Sequence, residues 1–155
     1  MTESWRFLVD ENLLGLLRWL RILGFDAIAF QAVPDSVLIH EAQVQGRILL
    51  TQDRQLVADF PQAILVAADE PKAQALEVAK RLKLQITAPL TRCLKCNAEL
   101  KEVSKAHVNV QVAPKTLEIY DQFFECPVCR QIFWKGSHFK KLMKEVEAIN
   151  QALSG

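Results

Sequence analysis

From residue 5 to about residue 90 the apolar positions change period in a regular way, from short continuous runs to 3–4 spacing and back. The first run, Trp5-Arg6-Phe7-Leu8-Val9, meets Asp10-Glu11-Asn12, so a buried strand should deliver acidic groups to its C-terminal end. Leu13, Leu16, Leu17, Leu20 and Leu23 then recur at helical spacing, with Arg18 and Arg21 on the opposite side and Gly24 as the stop. Asp26–Phe30 reads as a second strand. Pro34-Asp35-Ser36 opens a second helix, with Asp35 or Ser36 as its cap, and Gly46 closes it. Arg47–Thr51 is a third strand, Gln55–Phe60 a short helix and Ala63–Ala67 a fourth strand. Pro71 suits the first turn of a helix running to about Leu82, and Leu84–Thr87 reads as a short edge strand.

This alternation over residues 1–89 predicts an α/β unit, a parallel sheet with helices on both faces. In such sheets ligands sit beyond the carboxyl ends of the strands, near the point where the connections change side. Asp10, Thr51, Asp53 and Asp69 fall at or just past strand ends, and Asp35 in the loop or cap that follows the second strand. From Pro89 the pattern changes. Residues 90–155 carry two Cys-x-x-Cys turns, an alternating Val108, Val110, Val112, and a closing amphipathic helix from His138 to Leu153. They read as a small β-rich zinc ribbon followed by a helix that places Phe139, Leu142, Met143, Val146 and Ile149 on one side.

The net charge of +1 conceals a polarity: nine basic against eleven acidic residues over positions 1–90, ten against seven over 91–155. That suits an acidic metal-binding unit beside a basic handle for nucleic acid. No apolar run approaches the roughly 18 residues that would span a membrane, and Met1–Arg6 has no leader pattern, so a cytoplasmic location is expected. In that setting Cys93, Cys96, Cys126 and Cys129 point to structural zinc held by four thiolates, a closed site without an open catalytic position. Paired redox dithiols or plain reduced thiols are the competing reading, and His107 or His138 could stand in for a cysteine.

Carboxylates gathered at one sheet edge, away from Cys and His, suit a hard cation such as Mg²⁺ or Mn²⁺. Asp10 and Asp53 are the expected ligands, with Asp35 a catalytic partner and Asp69 completing the set. Thr51 and Asn12 could bind the ion, a water or a phosphate oxygen. Against this, Asp10, Asp35 and Asp69 could each be no more than a helix cap or turn residue. Arg18 and Arg21 read as a solvated helix face that could reach phosphates, and Arg54 as a further cation beside Asp53. In Trp134-Lys135-Gly136-Ser137-His138 the aromatic could stack a base while Lys135 and His138 contact phosphate; alternatively, Phe133 and Trp134 pack the ribbon against the first unit.

Taken in order, these residues resemble the Mut-seven C-terminal RNase family. The resemblance is carried by Phe7-Leu-Val-Asp10, Leu14-Gly15, Leu17-Arg18-Trp19-Leu20-Arg21-Ile-Leu-Gly24-Phe-Asp26, Gly46-Arg47-Ile-Leu-Leu-Thr51-Gln-Asp53-Arg54, Cys93-x-x-Cys96-Asn97, Cys126-Pro-x-Cys129 and Phe133-Trp134-x-Gly136-Ser137-His138. It implies a PIN-like ribonuclease fold with an attached zinc ribbon and a metal-dependent site. Asp10 and Asp53 match its acid positions and Asp35 the acid before the second helix, whereas Gln52 stands where an Arg is expected. Because the match fixes on Asp10, Glu11 is expected to face away. The function implied is a Mg²⁺- or Mn²⁺-dependent ribonuclease with RNA as partner, no membrane, and a homo-oligomer left open. The alternative is a non-catalytic RNA-binding protein on the same fold. The spacing of Asp10 and Asp53 would also allow a phosphorylation receiver domain, but no Lys-Pro stands near Leu84–Pro89 to contact a phosphate, and such a domain leaves the ribbon unexplained.

Overall fold

Four strands, β1 (Arg6–Val9), β2 (Asp26–Ala29), β3 (Ile48–Thr51) and β4 (Ile64–Leu65), pair in parallel in the order β2-β1-β3-β4. They come from a computed structural model that describes residues 4–155; residues 1–3, part of the stretch read for a leader, lie outside it. Alternate side chains sort onto the two faces, as strand pleating requires. Phe7, Val9 and Leu50 join a core built with α1 (Leu14–Ile22), α4 (Pro71–Leu82) and α7 (Ser137–Ser154). Leu8 and Leu49 face a second core with α2 (Asp35–Gln45) and α3 (Arg54–Asp59). Of the predicted apolar stripe, Leu13, Leu16, Leu20 and Leu23 are buried and Leu17 is half-buried, while Ile22, outside the stripe, is also fully inside; each fully buried side chain contributes about 2 kcal/mol by removal from water.

Two glycines permit close approaches in the first core. A Cβ on Gly15 would lie 2.5 Å from Pro71 Cγ, so α1 and α4 meet through a missing side chain. Gly24 ends α1 at φ +96°, and a Cβ there would collide with the carbonyl of Ala88, where the chain returns from α4 toward the second unit. The expected edge strand at Leu84–Thr87 is absent. Leu84 is buried and Ile86 packs on the core, but the segment has no strand partner and runs as coil past the end of α1, Leu90 N–H donating to Ile22 O at 2.8 Å.

The second unit is a three-stranded antiparallel sheet, β5 (Lys101–Val103), β6 (Phe123–Glu125) and β7 (Ile132–Phe133), in sequential order. Between β5 and β6 lie two short helices, α5 (Lys105–Val108) and α6 (Pro114–Ile119), where alternation had suggested a strand. Val108 and Val112 are buried on Phe123 while Val110 is 89% exposed. Residues four apart share a helical face, so a valine at every second position fits both periods. Ser104 decides the matter by capping α5, its Oγ accepting from His107 N–H at 3.2 Å. Helix α7 then leaves the ribbon and packs on α4, adding Val146 and Ile149 to the first core. Among the described residues no helix is long and apolar enough to cross a membrane.

Candidate functional site

The parallel sheet changes sides between β1 and β3. Helix α1 leaves β1 over one face and α3 leaves β3 over the other, opening a crevice at the carboxyl ends of these central strands. Asp10 and Asp53 stand there, linked through Thr51. The Thr51 hydroxyl, wholly buried, donates to Asp10 Oδ2 at 2.8 Å and accepts from Asp53 N–H at 3.0 Å. The Thr51 hydroxyl is thus committed to the Asp10 carboxylate and to the Asp53 backbone. Asp10 N–H donates to Leu50 O at 3.0 Å, tying its backbone to β3, and its side chain caps nothing. Cap duty falls on Asp53, whose Oδ1 accepts from Gln55 and Leu56 N–H at 2.9 and 3.3 Å. One oxygen on each carboxylate, Asp10 Oδ1 and Asp53 Oδ2, has no hydrogen-bond partner among the described residues.

Asp35 is not a cap, since Pro34 occupies that position and Asp35 lies in the first helical turn, exposed. Partial desolvation and the neighbouring carboxylates Asp53, Asp10 and Asp59 hold its carboxyl above the usual aspartate range. Because Asp35 is exposed, the like charges are the informative part: Asp10 after β1 and Asp53 and Asp59 at the two ends of α3 all act on it. Asp59 is an acid that pattern reading had passed over. Glu11 does not simply turn away; its Oε2 accepts from Ala32 N–H at 2.7 Å, holding the β2–α2 loop in which Ala32 has φ 54° and from which Asp35 follows. Asp69 lies exposed in the turn before α4, and Asn12 in the 3₁₀ turn Glu11–Leu13, exposed and without a capping bond. Gln52 donates to Ala68 O at 2.9 Å and so joins the ends of β3 and β4. Arg54 is exposed in the first turn of α3, beside Asp53.

The donor set at this edge is oxygen only, and mutual repulsion at Asp35 is what a bound cation would relieve, so Mg²⁺ or Mn²⁺ chemistry fits the residues. The edge is nevertheless open. Among the described residues, the four cysteines are the one group of three or more Cys, His, Asp or Glu gathered closely enough to enclose an ion.

That cysteine centre is built from two matching turns. Asn97 N–H donates to Cys93 O and Arg130 N–H to Cys126 O, at 2.8 and 2.9 Å, and both Asn97 and Arg130 take positive φ. The four Sγ atoms lie within 4.8 Å of one another, and Cys93 and Cys129 are 3.8 Å apart. A tetrahedron with Zn–S bonds of ~2.3 Å has edges of about 3.8 Å, the Cys93–Cys129 separation, so the cluster is of a size that could hold zinc. Burial and the adjoining Cys129 and Cys126 thiols push Cys96 up to about 12. Burial works the other way on Cys126, yet the amides of Cys129 and Val128, with Cys129 N–H 3.4 Å from its Sγ, bring it down to about 7. His107 is not in this cluster, and its Nε2 lies 3.0 Å from Glu125 Oε2.

The ribbon docks at the opposite end of the sheet from the acids. Asn97, just past the first Cys turn, donates through Nδ2 to Asp26 Oδ1 at 2.7 Å and accepts from Ala27 N–H at 3.0 Å. Arg21 is part of this joint: it donates to Ala27 O at 2.9 Å, Leu94 O at 3.0 Å and Lys95 O at 3.2 Å. Burial holds its guanidinium below the usual arginine range, although the nearby cysteines oppose the shift. Arg47 completes the joint with a 2.8 Å bond to Asp26 Oδ1. Both Asp26 and Asn97 stood in the motifs of the family resemblance, but a contact between residues 71 positions apart leaves no mark in a single sequence. Trp134 packs inside the ribbon on Phe123, centroids 6.2 Å apart, and not against the first unit. Arg18, Lys135 and His138 are exposed.

A model of the Mut7-C RNAse domain matches residues 5–146 of the chain. No curated protein and no solved structure matches it.

Proposed function

The chain belongs to the Mut7-C RNAse domain family, and on that premise we propose that its acidic sheet edge hydrolyses RNA phosphodiester bonds with the help of Mg²⁺ or Mn²⁺. The supporting observation is the Asp10–Thr51–Asp53 link between the ends of β1 and β3, which ties the Asp10 carboxylate and the Asp53 backbone to one buried hydroxyl and leaves an oxygen on each carboxylate uncommitted. Asp10 and Asp53 would hold the ion, and Asp35, whose proton affinity its neighbours raise, would complete the set or accept a proton from the attacking water. A divalent ion so held supplies an activated water and offsets charge on the scissile phosphate. Arg54, exposed one residue after Asp53, would meet RNA phosphate. The cysteine centre is structural, and the ribbon it holds serves as a handle on the RNA.

The test uses Asp10→Asn and Asp53→Asn in zinc-loaded protein with Mn²⁺ and a labelled RNA. Asn at position 53 still caps α3, so the fold stays while the charge goes. Cleavage should fall at least about 100-fold in each, as expected when a group acting on the transition state is lost; cleavage at the wild-type rate in both removes the mechanism. A second reading, RNA binding without cleavage on the same fold, is favoured by one observation, that only the thiols are gathered tightly enough to enclose an ion. It predicts binding with zinc retained and no product after long incubation in Mn²⁺.

A further inference from the structure

A cleft of about 770 Å³ runs between the ribbon, the start of α7 and the flank of α1. It contains none of the acids of the sheet edge, and it abuts the cysteine centre through Cys93. The joint beside it engages Asp26, at the start of β2, which pairs with Arg6 at the start of β1. Asp10 lies at the far end of β1, ~13 Å away along the strand. The cleft has aromatic walls, with Phe124, Phe133, Trp134 and Phe139 all lining it. Trp134 is fixed by its contact with Phe123, and Lys135 Nζ sits 5.8 Å from the Phe139 ring centroid, a cation–π contact that holds an ammonium beside an aromatic face.

Its charge is one-sided. Arg18, Arg92, Lys95, Lys135 and His138 line the cleft and no Asp or Glu does. Arg92 is committed, donating to Gly24 O at 3.1 Å and Asn97 O at 2.8 Å. Arg18, Lys95, Lys135 and His138 have no carboxylate partner among the described residues. Apolar planar surface enclosed by unpaired cations fits a ligand that is flat and apolar in one part and anionic in another. It excludes a cationic ligand, and a duplex, whose bases are stacked away, cannot use the walls.

We propose that this cleft is a second RNA site, an exosite that takes unpaired nucleobases on its aromatic walls while Arg18, Lys135 and His138 hold the adjoining phosphates. It rests on RNA being the substrate, and it names the class: RNA with a single-stranded stretch, anchored away from the cleaving edge. Each base stacked on an aromatic face contributes without regard to sequence, so the exosite selects for unpaired strand and not for a motif.

The experiment reads binding in Asp10→Asn protein with zinc loaded, so that it is separate from cleavage. The probe is a labelled oligouridylate of about 12 nucleotides, within the span of known single-strand sites. An abasic strand of equal length keeps the phosphates and removes the bases, and should bind at least about tenfold more weakly. A duplex of equal length should also bind more weakly than the single strand. Arg18→Ala/Lys135→Ala, both at exposed positions, should weaken oligouridylate at least tenfold and lower the slope of log affinity against log salt by about 1.4, two single-strand phosphate contacts. Equal binding of the abasic strand, or an unchanged slope in the double variant, overturns the exosite while leaving the cleavage assay to judge the acidic edge. Failure of oligouridylate to bind, with saturable binding of an acidic amphipathic peptide instead, overturns it in favour of a protein partner.

Discussion

Replacing Thr51 with Val tests how the acidic edge is built. The two side chains have nearly the same shape, Val suits a strand, and position 51 is wholly buried, so the change removes one hydroxyl and little else. Two bonds go, the 2.8 Å donation to Asp10 Oδ2 and the 3.0 Å acceptance from Asp53 N–H. A hydrogen bond to a charged group contributes about 1.5–3 kcal/mol and a neutral one about 1 kcal/mol. Asp10 is partly exposed and recovers some hydration, so the net loss should be about 2 kcal/mol. For a chain of this size that lowers Tm by roughly 4–8 °C. The effect on activity is separate. Groups that orient a metal's ligands typically change affinity or rate by about 10- to 100-fold, so Mn²⁺-dependent kcat/KM should fall by at least about tenfold, and Thr51→Ser should restore most of it. The assay pairs a thermal melt with RNA cleavage across a Mn²⁺ titration. A lowered Tm with kcat/KM within about twofold of wild type would show that Thr51 supports the fold but does not position Asp10 and Asp53.

The joint between ribbon and sheet should be pH-sensitive. Burial opposes ionisation of Asp26, but hydrogen bonds from Arg47 and Asn97 prevail and hold its carboxyl below the usual aspartate range. A carboxyl depressed in the folded state binds fewer protons there than in the unfolded chain. Its contribution is therefore complete at neutral pH and is lost only as pH falls below about 3.9 through the folded value. Asp26→Asn, which leaves Arg47 (7% exposed side chain) without its charge partner, should cost about 3 kcal/mol at pH 7, and the gap to wild type should close in acid melts. Arg21→Ala should lower Tm and increase protease cutting near residues 94–97, with no change in the salt slope of RNA binding; a reduced slope would return Arg21 to the RNA contacts. Cys93→Ser should abolish stoichiometric zinc measured by atomic absorption and expose residues 91–136 to proteolysis, because Cys93 is fully buried in the centre. Retained zinc would point to a ligand other than the four thiols.

Much of the first unit was legible because its signals are local. Short apolar runs marked β1 to β4, Pro71 marked α4, and Gly24 and Gly46 marked the ends of α1 and α2, both at positive φ. The cysteine centre was legible because Cys-x-x-Cys carries its geometry in its spacing. Reading failed where two periods coincide, as at Val108 and Val112, and where an apolar segment has nothing to pair with, as at Leu84–Thr87. It also failed to apportion roles among the acids. Asp53 rather than Asp35 became the cap, Glu11 took a loop amide, and Thr51 became the spacer, because those assignments depend on which amide or hydroxyl the folded chain brings near. Arg21 looked like a solvated cation because α1 alone shows no partner, and its carbonyl acceptors in the first Cys turn lie more than 70 residues away.

The central claim is that Asp10 and Asp53 hold a divalent ion at the β1/β3 crevice, and a crystal soaked in Mn²⁺ and measured at the manganese absorption edge tests it most directly. An anomalous peak is expected between the free oxygens of Asp10 and Asp53, with the Asp35 side chain turned toward it, and no such peak in Asp10→Asn. An empty crevice, or manganese bound only elsewhere on the surface, would contradict it.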